Sequence, residues 1–186
     1  MKFSNGFWLL KEGCACFSPM QIYYSKIGAD EVTICAPTTK VPDRGATLMG
    51  VNLTIRVTAP FPEVLRIQTF HHMGVQKKSP EFELAEGTEG NLTAEETDEL
   101  LIIKSGTLRM EISKENGTFI FLRGDERITA SGRLDLAYMK TDFTGFAYDS
   151  GKQNAYMSEQ LSLSVGEHIY GLGERFGPFV KNGQSV

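Results

Sequence analysis

The chain has 186 residues, 41% of them apolar and 23% charged, which suits one globular domain with trailing segments and enough apolar surface to bury a core. Its formal net charge of −4 and pI near 5.5 offer no basic face to a nucleic acid. No apolar run approaches the roughly 20 residues needed to span a bilayer, so no membrane partner is expected.

The opening, Met1-Lys2-Phe3-Ser4-Asn5-Gly6, is rich in turn residues, and Phe7-Trp8-Leu9-Leu10 is shorter than the roughly 7–15-residue core of a signal peptide. The expected location is therefore cytoplasmic. Cys14, Cys16 and Cys35 are an odd, small set that makes a poor disulfide framework. Cys14-x-Cys16 has no second pair to complete a zinc site, so neither metal nor cofactor is expected.

Strands are predicted near 7–11, 19–25 and 31–36, with Pro37, Pro42, Pro60 and Pro62 as punctuation. Leu53, Ile55 and Val57 then alternate with Asn52, Thr54, Arg56 and Thr58, and Leu65 and Ile67 alternate with Arg66 and Gln68. This period of two is the mark of a strand with one face on a core and one in water. Residues 81–99 carry eight acidic side chains, among them Glu95, Glu96, Asp98 and Glu99, with no Lys or Arg, and read as an acidic loop. The Asp/Asn spacing of a calcium loop is absent from it.

Further strands are predicted near 99–104 and through Leu108, Met110 and Ile112. Lys114-Glu115-Asn116-Gly117 follows, and Asn-Gly is a strong hairpin signal because both residues tolerate positive φ. Phe119-Ile120-Phe121-Leu122 is apolar without alternation, as a strand covered on both faces would be. Strands are also predicted near 125–130, 135–140 and 155–160, then through Leu161, Leu163 and Val165, and near 168–172. No segment carries a long helical stripe, so the fold class is all-β, an antiparallel two-sheet β-sandwich with little helix.

Few motifs carry chemistry. His71 and His72 are adjacent and would face opposite ways on an extended chain, which makes them a poor metal pair. His168 has no nucleophile that the sequence ties to it. Arg123-Gly124-Asp125 reads as a turn, and three Asn-x-Thr sequons, at Asn52, Asn91 and Asn116, are short patterns with no secretory signal behind them. In Tyr170-Gly171-Leu172-Gly173-Glu174-Arg175-Phe176, glycines at i and i+2 would let the backbone approach a neighbour closely. The glycines and Lys-Ser/Thr of a phosphate loop are missing from it.

The run Val165-Gly-Glu-His-Ile-Tyr-Gly-Leu-Gly-Glu-Arg-Phe176, followed by Val180-Lys-Asn-Gly-Gln-Ser-Val186, resembles the end of the amino-terminal domain of family 31 α-glycosidases. It is most similar to their bacterial α-xylosidase branch. Met1-Lys2-Phe3-Ser4-Asn5-Gly6-Phe7-Trp8-Leu9, Leu122-Arg-Gly-Asp-Glu-Arg-Ile-Thr129 and Asn154-Ala-Tyr-Met-Ser-Glu-Gln-Leu161 resemble that branch too, so the likeness spans nearly the whole chain. It implies a galactose-mutarotase-like sandwich over residues 1–170 and a tail, 171–186, leading to a (β/α)₈ barrel. It places the catalytic aspartates in that barrel and a substrate-facing loop beyond Val186.

The resemblance thus implies a non-catalytic domain of a retaining glycosidase that hydrolyses terminal α-linked xylose from oligosaccharides. The domain would brace the barrel and shape one wall of its pocket, with the chain alone inactive. Glu174, Arg175 and Phe176 are the candidate barrel contacts, although turn and packing roles fit them equally. The expected partners are the chain's own barrel, an oligosaccharide and, when intact, further copies of itself. Three alternatives stand beside this reading. In the first the domain is a carbohydrate-binding module using Trp8, Tyr23, Tyr24, Tyr138 or Tyr148, in the second it builds an oligomer, and in the third the parent is an α-glucosidase.

Overall fold

The structure is a computed structural model and describes residues 3–4, 9–71, 91–142, 154–173 and 176–184. Trp8, His72, the acidic residues from 81 to 89, Tyr148, Glu174 and Arg175 lie outside the described residues, as do residues 7–8 of the strand expected near 7–11, of which Leu10 makes an isolated bridge to Ser4.

Among the described residues, twelve strands form three antiparallel sheets. β2 (Tyr24–Ile27), β3 (Glu31–Pro37), β4 (Asn52–Thr58) and β5 (Arg66–Phe70) make a four-stranded sheet in chain order. β6 (Leu92–Glu96), β7 (Leu100–Ser105), β8 (Leu108–Ser113), β9 (Phe119–Arg123) and β10 (Glu126–Ser131) make a five-stranded meander. β1 (Cys14–Phe17), β11 (Ala137–Thr141) and β12 (Asn154–Ser158) form the third, with β11 central. Residues 45–48 form a single 3-10 turn whose first amides donate to Asp43 Oδ1, at 2.8 Å from Gly45 and 3.1 Å from Ala46.

Alternation dictates which faces meet. Val32, Ile34, Leu53, Ile55 and Val57 on the four-stranded sheet are fully buried against Leu101, Ile103, Met110 and Ile112 on the five-stranded one. One core therefore lies between two sheets, Phe17 and Tyr138 join it from the third, and Leu136 joins it from just before β11. This is a β-sandwich, and the third ladder is an addition to the two-sheet expectation.

Side chains tie the layers together at their edges. The Glu63 carboxylate, on the β4–β5 connection, accepts from Thr107 N and Thr107 Oγ1, both at 2.6 Å, and so holds the β7–β8 turn of the opposite sheet. Those two bonds, the hydroxyl's foremost, pull its pKa below the ordinary range. Ser25 Oγ on β2 donates to Glu96 on β6.

Three sequence expectations need correction. Residues 92–96 of the acidic stretch form β6, an edge strand, because Glu95 and Glu96 find Lys104 Nζ at 2.8 Å and Lys114 Nζ at 2.6 Å. The strand near 19–25 is mostly a stitched connection: Met20 N donates to Pro37 O and Ile22 N to Lys114 O, and only from Tyr24 does a ladder begin. β9 is not covered on both faces. Its alternation is hidden by apolar residues on the outer face, where Ile120 is 36% exposed while Phe119 is 1% exposed. The hairpin at 114–117 forms, with Ser113 N donating to Thr118 O at 3.0 Å, but only Gly117 takes positive φ, at 71°. Asn116 contributes instead by accepting from Thr118 N and Oγ1 at 3.1 and 2.9 Å.

Candidate functional site

The candidate surface is the arm that leaves β12 at Glu159. Both strands expected here fail to form: residues 159–173 hold no ladder. Alternation at Leu161, Leu163 and Val165 calls for a covering face, yet these side chains are 54%, 52% and 106% exposed. Ile169, Tyr170, Leu172, Phe176 and Phe179 are exposed as well.

The arm is nevertheless ordered by its own hydrogen bonds. Asn182 locks it, its Oδ1 accepting from Ile169 N at 2.8 Å and its Nδ2 donating to Glu167 O at 2.9 Å. Lys181 N donates to Ile169 O at 2.8 Å, and Tyr170 and Phe179 stack with centroids 5.1 Å apart. Ser162 grips the body through Ser162 N to Ala130 O, Ala130 N to Ser162 Oγ and Thr129 Oγ1 to Ser162 O.

The glycine motif acts through torsion rather than packing. Gly171, Leu172 and Gly173 all take positive φ, at 130°, 71° and 68°, while a Cβ on either glycine would meet nothing within 4 Å. A left-handed run ends any strand, which is why the ladder expected near 168–172 is replaced by a bend. Of the three candidate contact residues, Glu174 and Arg175 lie outside the described residues, and Phe176 stands fully exposed at 114%.

Where arm and body meet, a hollow of about 280 Å³ opens between Ile67, Phe119, Phe121, Leu136, Met157 and Leu161. Glu159 sits at its rim. The residue as a whole is exposed, yet partial burial of its carboxyl pushes its pKa above the ordinary range, with the Ser131 hydrogen bond opposing this and Asp135 adding repulsion. The sequence reading missed Glu159 because nothing in the chain marks it as neighbouring Asp135.

His71 caps β5, its Nδ1 3.4 Å from Asn52 O and its ring 4.4 Å from Tyr138, which spends it on packing. Cys14, Cys16 and Cys35 are free thiols. Burial pushes the Cys35 thiol up, and Cys35 Sγ donates to Asn52 Oδ1.

The described residues thus form a β-sandwich with a closed core and an exposed apolar arm. The chain belongs to the glycosyl hydrolase 31 N-terminal galactose mutarotase-like domain family, whose model matches residues 54–186. It is 33% identical over its whole length to the α-xylosidase XylQ of Lactiplantibacillus pentosus and 31% identical to an α-xylosidase of Emericella nidulans. It spans only 23% and 25% of those two enzymes. Among solved structures, a cycloalternan-forming enzyme of Listeria monocytogenes, crystallised with a pentasaccharide substrate, matches 92% of the chain at a TM-score of 0.64 and 17% identity. The match takes in 14% of that enzyme, and the likeness is one of fold.

Proposed function

We propose that the chain is the amino-terminal, non-catalytic domain of a retaining α-glycosidase acting on terminal α-linked xylose, and that it braces the catalytic domain and forms part of the wall of its pocket. The observation that carries this reading is the arm. Eight large apolar side chains from Leu161 to Phe179 stand exposed on a backbone held in place by its own hydrogen bonds. Contiguous exposed apolar surface of this kind marks an interaction face.

The α-xylosidase relatives are about four times as long as the chain, so their chemistry has ample room outside the matched region. A retaining mechanism needs two carboxyls about 5–5.5 Å apart across the scissile bond, and this reading assigns both to the catalytic domain. The sandwich supplies rigidity, since its core is closed before any partner is added. The arm supplies the contact, with Phe176 as its most projecting apolar group.

The test is hydrolysis of a nitrophenyl α-xyloside. The 186-residue chain is expected to release nothing above background, and the chain joined to its catalytic domain to turn over with retention. Release by the chain alone overturns the non-catalytic assignment. A nitrophenyl α-glucoside hydrolysed faster than the xyloside by the joined protein moves the parent to the α-glucosidases.

A further inference from the structure

Asparagine followed by glycine is a chemically fragile step in a chain, because glycine has no Cβ to keep its backbone nitrogen from reaching the preceding side-chain amide. The sequence holds three such pairs, Asn5-Gly6, Asn116-Gly117 and Asn182-Gly183. The first lies outside the described residues, and the other two sit in different settings.

The two side chains are alike in one respect. Asn116 Oδ1 accepts from Thr118 N and Oγ1 at 3.1 and 2.9 Å, and Asn182 Oδ1 accepts from Ile169 N at 2.8 Å. The glycine nitrogens differ. In the β8–β9 hairpin, Gly117 N donates to Ser113 O at 2.8 Å. In the arm, residues 181–184 form a turn closed by Gln184 N donating to Lys181 O at 3.0 Å. That bond passes over Gly183 N and leaves it without a hydrogen-bond partner among the described residues. Asn182 and Gly183 are both exposed to water. Attack begins with loss of the amide proton, and an amide held in a hydrogen bond gives up its proton only when the structure opens locally. Gly117 is therefore protected by its hairpin, and Gly183 is not.

We propose that Asn182 is a deamidation site of the folded chain, and that its reaction unlocks the arm. Gly183 N gives its proton to a solvent base and bonds to Asn182 Cγ. The Cγ–Nδ2 bond breaks, and the nitrogen leaves as ammonia with a proton taken from water. Water then opens the succinimide ring at either of its carbonyls, giving aspartate or isoaspartate. The sum is amide plus water to carboxylate plus ammonium, with no oxidation and no second reactant.

The position makes the change consequential. Asn182 Nδ2 donates to Glu167 O at 2.9 Å, and a carboxylate has no proton to replace that donor. Aspartate keeps the bond from Ile169 N but sets an anionic oxygen against the Glu167 carbonyl. Isoaspartate lengthens the main chain by a methylene and displaces the carboxyl, so both bonds are lost. The neighbouring bond from Lys181 N to Ile169 O and the Tyr170–Phe179 stack rest on the same lock. The proposal stands on these hydrogen bonds alone and holds whatever enzyme the chain belongs to.

The 186-residue chain is aged at mildly alkaline pH, folded and in urea, and its peptides are scored at residues 116 and 182 for isoaspartate and for a mass gain of about 1 Da. Dividing each folded rate by the rate in urea removes differences of local sequence. The quotient should be at least about tenfold larger at Asn182 than at Asn116, since only Gly117 waits for local opening. Equal quotients, or a larger one at Asn116, overturn the proposal. Both the aged chain and the Asn182→Asp variant should exchange the Ile169 and Lys181 amide protons faster, with the denaturation midpoint of the sandwich unchanged. Exchange that stays the same in both overturns the unlocking, and a lowered midpoint does so too by placing the effect in the body. The aged chain folds before it reacts, so the test stands even if Asn182→Asp folds poorly.

Discussion

In β3, β4, β7 and β8 the inward apolar side chains are sealed: Val32, Ile34, Ala36, Leu53, Ile55, Val57, Leu101, Ile103, Met110 and Ile112 have no exposed surface at all. In the arm, residues with the same alternation, Leu161, Leu163 and Val165, stand more than half exposed. The two regions share a sequence pattern and differ in whether the chain contains its complement. Alternation specifies that a face is to be covered, and the partner that covers it must be found elsewhere. The body finds its partner in its own second sheet. The arm finds none among the described residues.

The largest effect should come from the body. Phe119→Ala removes a ring that is 1% exposed and bridges the sheets, and about 3–5 kcal/mol of unfolding free energy should go with it. Denaturant titration reads this directly. Truncating the chain after Gly166 should change the same measurement by no more than about 0.5 kcal/mol, the usual range for surface changes. A truncation as costly as Phe119→Ala would erase the contrast between the regions.

A second, smaller effect probes how the sheets are clamped. Gly106 takes φ of 60° in the β7–β8 turn, and a Cβ there would stand 1.8 Å from Glu63 Oε1. Gly106→Ala should therefore cost more than about 1 kcal/mol, combining a strained left-handed residue with a displaced carboxylate. The clamp also has a pH signature. The folded pKa of Glu63 is lowered, so its stabilisation is complete above the ordinary carboxylate value of 4.5 and fades as pH falls through the lowered folded value. Gly106→Ala should flatten that part of the acid-unfolding curve.

The division between the regions was partly legible in the sequence. Leu53, Ile55 and Val57, and Leu108, Met110 and Ile112, revealed their strands because one face is core and the other solvent. The hairpin at 114–117 was legible because Asn116 and Gly117 encode the turn locally. β6 was not, since its stability comes from Lys104 and Lys114, which are distant in sequence from Glu95 and Glu96. The strands expected in the arm were misread for the opposite reason: the local pattern was present and the tertiary partner was not. Family resemblance reached further than periodicity here, since the run ending at Phe176 pointed to the glycosidase domain that the family model matches.

Glu159 marks the junction and should give a smaller shift. Its folded pKa is raised, so the folded state disfavours its charge, and this cost is present above the raised value and relieved as pH falls through it. Glu159→Gln should raise the melting temperature modestly at pH 7. The difference from the native chain should close as acidification protonates Glu159. A gain that persists unchanged to pH 4 would mean that the carboxyl is not desolvated at this junction.

The smallest effect on stability should belong to the arm, and there a null result is informative. Phe176 and Phe179 are 114% and 79% exposed, so replacing both with Ser removes little buried surface beyond the Tyr170–Phe179 contact, and the melting temperature of the 186-residue chain should stay within error. The same double substitution should lower self-association and the binding of an apolar dye, because it strips the most projecting part of an uncovered patch. In the chain joined to its catalytic domain the order of effects should reverse. If the arm is the contact surface, Phe176 and Phe179 become buried there, and their loss should cost several kcal/mol of interface stability, comparable with truncating core aromatics. Residues silent in the domain and costly in the joined protein can act only through what covers them. Equal silence in both would leave the arm as surface decoration and return the bracing role to the sandwich alone.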